Sequence, residues 1–131
     1  MRRPLRIEQV FRVDDDGVTI RRYEVHVPLA PPRRGDECVR LVDLCRAERA
    51  LALAAMTDGM TSSYVLRFAR KALDLTVEML AQECSASAPE ARAWERVGLH
   101  AAVYGEQDII DDIIALLEQS DHGDRPARRV L

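Results

Sequence analysis

The first thirty residues alternate between apolar and polar positions. Leu5, Ile7, Phe11 and Val13 share one parity, interrupted by Gln9, while Arg6, Glu8 and Arg12 share the other. A period of two marks a strand with one buried face. Asp14-Asp15-Asp16-Gly17 follows, a hairpin loop with a glycine for the left-handed position. A second strand runs from Val18 to Val27, but its alternation changes phase: Val18 and Ile20 share one parity, Tyr23, Val25 and Val27 the other. A one-residue bulge at Arg21-Arg22 would put every apolar side chain on one face. It sets Phe11 opposite Ile20, Gln9 opposite Tyr23, Ile7 opposite Val25 and Leu5 opposite Val27. An isolated hairpin is marginal in water, so this one must pack on helices or pair with another chain.

Pro28, Pro31 and Pro32, then Arg33-Arg34-Gly35, close the strand and predict a linker. Beyond it the period changes to that of a helix. Asp36 is placed to cap a helix over 37–56, with Cys38, Leu41, Val42 and Cys45 at helical spacing. From Ala50 to Met56 this helix is apolar all round, which implies either the centre of a core or a contact with another subunit. Thr57-Asp58-Gly59 breaks it. Thr61 or Ser62 can cap a helix over 62–84, whose stripe is Val65, Phe68, Ala69, Ala72, Leu73, Thr76, Met79 and Leu80. Ser87-Ala88-Pro89-Glu90 fits a capping box that opens a helix over 88–104. Gly105 ends that helix or kinks it into a last one over 106–119. There Ile109, Ile110, Ile113, Ile114, Leu116 and Leu117 oppose Asp108, Asp111, Asp112 and Glu118.

The expected fold is therefore α+β. An N-terminal antiparallel β-hairpin (5–27) packs on a bundle of three to four α-helices in a single domain spanning 1–120. The tail, 121–131, contains Gly123 and Pro126 and is expected to be flexible.

Composition adds bounds. At 131 residues and 47% hydrophobic, the chain can bury a core without metal or disulfide support. No apolar run approaches the roughly 18 residues of a membrane span. Met1-Arg2-Arg3-Pro4-Leu5-Arg6 lacks a following apolar stretch, so no secretory signal is expected. Cys38, Cys45 and Cys84 contain no C-x-x-C pair, which argues against a disulfide framework or zinc knuckle and for buried small side chains. A cytoplasmic location is the expectation. The net charge of -3 argues against a bulk polyanion binder. Its distribution is uneven: +2 over residues 1–49 (eleven Arg, nine acids) and -4 over residues 105–131 (three Arg, seven acids).

Catalytic and cofactor chemistry is poorly supplied. The sequence has no G-x-G-x-x-G, Walker loop or G-x-S-x-G elbow, so phosphate cradling is unsupported. It has no H-x-x-x-H or H-E-x-x-H, and the helical aspartates face away from the isoleucines, so no metal or cofactor is expected. His100, on the same predicted helix as Trp94, Val97 and Tyr104, is the best single acid–base candidate.

Interaction is the better-supplied class. The hairpin has strand edges to protect, the segment 50–56 has no polar face, and the isoleucine stripe needs broad cover. These features suggest a small non-enzymatic protein acting by protein–protein binding, as a regulator, inhibitor or accessory subunit, and homo-oligomeric. The acidic face Asp108, Asp111, Asp112 and Glu118 is the expected contact with a basic protein partner. The alternative is a dimeric DNA-binding regulator using Arg6, Arg12, Arg21, Arg22, Arg33 and Arg34. A small enzyme built around His100 is the second alternative.

Overall fold

A computed structural model describes residues 5–12, 20–33, 36–38, 40–123 and 126–130; of Arg12, 30–33 and 36–38 only the backbone is described. The expected class is the one observed. An antiparallel hairpin, β1 (Leu5–Arg12) and β2 (Ile20–Val27), packs against a bundle that has five helices among the described residues, one or two more than the sequence suggested. A short ladder, β3 (Ala30–Arg33) with β4 (Asp36–Cys38), replaces the expected linker.

The hairpin register is uniform. Leu5 pairs with Val27, Ile7 with Val25 and Gln9 with Tyr23, as the alternation predicts. The predicted bulge is absent, because Phe11 stands opposite Arg21 and Ile20 opposite Arg12. The phase change is met another way: Ile20 and Val10 remain on the outer face, 41% and 43% exposed. The inner face carries Phe11, Tyr23, Val25 and Val27, all buried. Phe11 stacks edge-on against Phe68 at 5.1 Å between ring centres.

Helix α1 (Leu41–Thr57) is the central element and packs against β2 and two of the other helices. Ala50, Leu51, Ala52, Ala55 and Met56 are buried, so the all-apolar segment is the centre of this chain's own core. The helix starts later than predicted and its N-cap, Arg40, makes no side-chain cap. Asp36 cannot cap it, because the 36–38 backbone is extended and paired with β3. Cys38 therefore does not share a helical face with Cys45.

The predicted helix over 62–84 is two helices, α2 (Ser63–Ala72) and α3 (Val77–Glu83). Ser62 and Thr76 cap them by accepting the amides of Val65 and Met79. The break is a Schellman turn: Leu75 N–H bonds to the Arg70 carbonyl and Asp74 N–H to that of Lys71, with Asp74 at φ 57°. The same paired bonds end α1 at Gly59 and α3 at Ser85. Helix α4 (Ala88–Val97) opens with the predicted Ser87/Glu90 capping box and stops at Gly98, well short of residue 104. Helix α5 (Glu106–Gln119) matches its predicted span, with Gly105 in the left-handed conformation before it. Ile110, Ile113 and Leu117 bury on this chain's own helices.

Part of the tail pairs with the hairpin. Residues Arg128–Arg129 form β5, antiparallel to β2 on the side away from β1. Arg128 bonds the buried Glu24 through Nε (2.8 Å) and Nη2 (2.7 Å), which is what its position predicts for a charge opposite a carboxylate. No described helix is long and apolar enough to cross a membrane.

Two polar devices fix the helices. Arg70 grips the buried Glu95 with Nε (2.7 Å) and Nη2 (3.0 Å), and gives Nη1 to the Leu75 carbonyl (2.9 Å). Leu99 N–H donates to the Thr61 carbonyl (2.9 Å) while Thr61 Oγ1 donates to the Leu99 carbonyl (2.6 Å). The second pair ties the chain after α4 to the start of α2.

Candidate functional site

Asp108, Asp111, Asp112 and Glu118 all lie on the exposed face of α5, as the pattern required. Gln107 Nε2 donates to Asp111 at 2.8 Å along that face. The four carboxylates form a solvated surface.

The hairpin arginines are dispersed. Arg6 sits 3.4 Å from Glu8 and 3.6 Å from Glu24. Arg21 donates to the Asp58 carboxylate at 3.3 Å and to its carbonyl at 3.2 Å. Arg22 is exposed on the outer face. Arg12 and Arg33 are described only as backbone, and Arg34 lies outside the described residues. Two of the six thus spend charge on neighbouring acids. His100 is not on a helix with Trp94 and Tyr104, because Gly98 ends α4 first; it is exposed in the following turn, where its amide bonds Glu106. Among the described residues, no group of three His, Cys, Asp or Glu converges on a metal site.

Two concavities were not foreseen. One, of about 360 Å³, lies between the C-terminal half of α1, Tyr23 and the tail, with Leu53, Ala54 and Ala127 in its wall and His122 at its rim. At its polar end Tyr23 Oη donates to Asp58 at 2.6 Å, and Arg129 approaches the same carboxylate at 3.5 Å. Burial, and then the Asp58 bond and charge, push the Tyr23 phenol up to about 12, so it stays a neutral donor. Tyr23 and Asp58 are far apart in sequence, and no local pattern signals their meeting. Through Arg129 the cluster ties the tail to the end of α1.

The other concavity, of about 310 Å³, runs beside β1, between Gln9, Val10 and Phe11 of the strand and Tyr64, Phe68 and Lys71 of α2. Its importance follows from the sheet order β1-β2-β5, which puts β1 at an edge. Val130 N–H donates to the Arg22 carbonyl, so the even-numbered residues of β2 turn their main-chain groups toward β5 and the odd-numbered ones toward β1. In the uniform register the odd residues of β1 bond to β2. The N–H and C=O groups of Arg6, Glu8, Val10 and Arg12 therefore point out of the sheet. The Gln9 side chain agrees, since its Nε2 reaches the Val10 carbonyl at 3.3 Å. Among the described residues no strand pairs with this edge. Val10 and Tyr64, 43% and 45% exposed, flank the groove. The signal available in sequence was Val10 itself, an apolar residue at the charged parity of the strand.

No family model, no curated protein and no solved structure matches this chain.

Proposed function

We propose that this protein works by binding another polypeptide rather than by catalysis, and that the β1 edge with its adjoining groove is where the partner docks. The supporting observation is the row of outward main-chain groups on β1 beside a concavity lined by Val10, Phe11, Tyr64 and Phe68. An added strand would take the main-chain bonds and place alternate side chains in the groove. The acidic α5 face (Asp108, Asp111, Asp112, Glu118) offers a separate contact for a basic partner. A regulator or accessory subunit in the cytoplasm fits this mode. DNA binding is less well supported, because Arg6 and Arg21 already face carboxylates.

The chain offers a direct test. Lys71 is its only lysine and lines the groove. An amine-directed photo-cross-linker placed on Lys71, with Lys71→Arg as the control for the α-amino group, should give discrete protein adducts in a lysate of the source cells. Val10→Pro removes only an outward N–H, which an edge strand tolerates, and should abolish those adducts. Adducts that survive Val10→Pro, or no Lys71 adduct at all, would refute docking at this edge. Loss of adducts in Asp108→Arg with Asp112→Arg, with Val10→Pro silent, would move the contact to α5.

A further inference from the structure

We infer that the occupant of the β1 edge is a second copy of this chain, paired antiparallel about Val10; this rests on the docking reading above. Edge strands resist chance pairing by carrying charge, and β1 has charged residues at positions whose main chain faces outward: Arg6, Glu8 and Arg12, with Val10 between the last two. Such a row rejects most strands, because like charges directly opposite repel. It accepts its own copy in few registers. A two-fold axis at Glu8 sets Glu8 against Glu8, and one at Gln9 sets Arg6 against Arg12. An axis at Val10 sets Glu8 of each copy opposite Arg12 of the other and stacks the two Val10 side chains. About six main-chain bonds would form over residues 8–12 of each strand, since all the facing positions are even.

The groove selects the same axis. It is centred on residues 9–11, so pairing about Val10 brings Gln9 and Phe11 of the second copy to the helix side, next to Phe68 and Lys71. The bond from Gln9 Nε2 to the Val10 carbonyl is exposed and long, and a pairing strand replaces it. An axis at Ile7 would also match Arg6 with Glu8, but it carries the contact away from the groove. The result is a closed, isologous pair with a six-stranded sheet.

Light scattering and sedimentation of the full chain, from about 1 µM to about 1 mM, test this over the affinity range of a small interface. A reversible dimer is expected. Glu8→Arg should raise its dissociation constant roughly tenfold or more, because position 8 of each copy then sets an arginine against Arg12 of the other. Glu8→Arg with Arg12→Glu should restore it, because the exchange keeps the edge self-complementary. With the axis at Ile7 the double variant fails, since Arg6 then faces a second arginine. Val10→Pro should leave a folded monomer by circular dichroism. A wild-type monomer throughout the range, a dimer indifferent to Val10→Pro, or no restoration in the double variant each overturns the inference. Lys71 adducts to other proteins alone, lost in Val10→Pro, would leave the docking reading standing and remove only the self-association.

Discussion

Gly98→Ala should be the most damaging single-atom-scale change in this fold. Gly98 is buried at φ 79°, ψ −179°, a region that side chains rarely adopt. That conformation costs a non-glycine residue about 1–3 kcal/mol. Space is a second cost. A β-carbon there would stand 2.9 Å from the Thr61 carbonyl oxygen and 3.3 Å from Ser62 Cα, both backbone atoms. The strands of chain must separate, and the two Thr61–Leu99 bonds depend on their closeness. Each such bond contributes about 0.5–1.5 kcal/mol. Together the loss is about 2–6 kcal/mol, or roughly 7–22 °C in Tm for a chain of this length. Gly59→Ala and Gly105→Ala provide the comparison, since both have positive φ but nothing within 4 Å of the added carbon. They should cost only backbone strain, about 1–2 kcal/mol. Thermal melts of the three variants decide it. A Gly98→Ala shift no larger than that of Gly105→Ala would refute the claim that backbone crowding sets the cost.

Other expectations are equally direct. Glu95→Ala leaves the Arg70 guanidinium largely buried without its carboxylate and should cost about 3–5 kcal/mol in urea unfolding, whereas Arg70→Met with Glu95→Leu should recover most of it. In a Tyr64→Phe, Tyr104→Phe background the Tyr23 phenol should titrate near 12 in its ultraviolet difference spectrum. Because folding raises this group above its ordinary 10.0, its contribution is complete below pH 10 and lost as the pH rises toward 12. The Asp58→Asn variant should lower the midpoint. Glu24 behaves oppositely. The Arg128 hydrogen bond, with the charges of Arg128, Arg6 and His26, holds its carboxyl below the ordinary 4.5. Its hold on the tail is complete above that value and fails as the pH falls through the folded one, so the Val130 amide should lose exchange protection in acid. Protection unchanged in acid would count against the latch.

What the sequence disclosed was periodic. The inward parity of Leu5, Ile7, Val25 and Val27 determined three register pairs, because a one-residue slip would have sent them all to solvent. The Ser87–Glu90 box was legible because both of its partners lie within one turn. The bulge was inferred from the premise that all apolar residues bury, and Ile20 and Val10 do not. The break between α2 and α3 was hidden for a different reason. Its left-handed position is held by Asp74 rather than glycine, and the bond that braces it comes from Arg70 to the Leu75 carbonyl. At the candidate site, Val10 shares the parity of Arg6, Glu8 and Arg12, and the alternation alone does not mark it as a site. Lys71 and Phe68 reached the groove only through the packing of α2 on β1.

The tail strand β5 has a consequence for how far assembly can proceed. A sheet with both borders bare could add neighbours on either side without limit, and identical strands stacked that way grow into fibres. Here Arg128, Arg129 and Val130 occupy the middle of the far border of β2, held there by Glu24 and Asp58. Among the described residues the sheet then has one eight-residue border, β1, and one two-residue border, β5. A pair formed across β1 would use up that border on both molecules at once, and the two-residue β5 would leave little length for further growth.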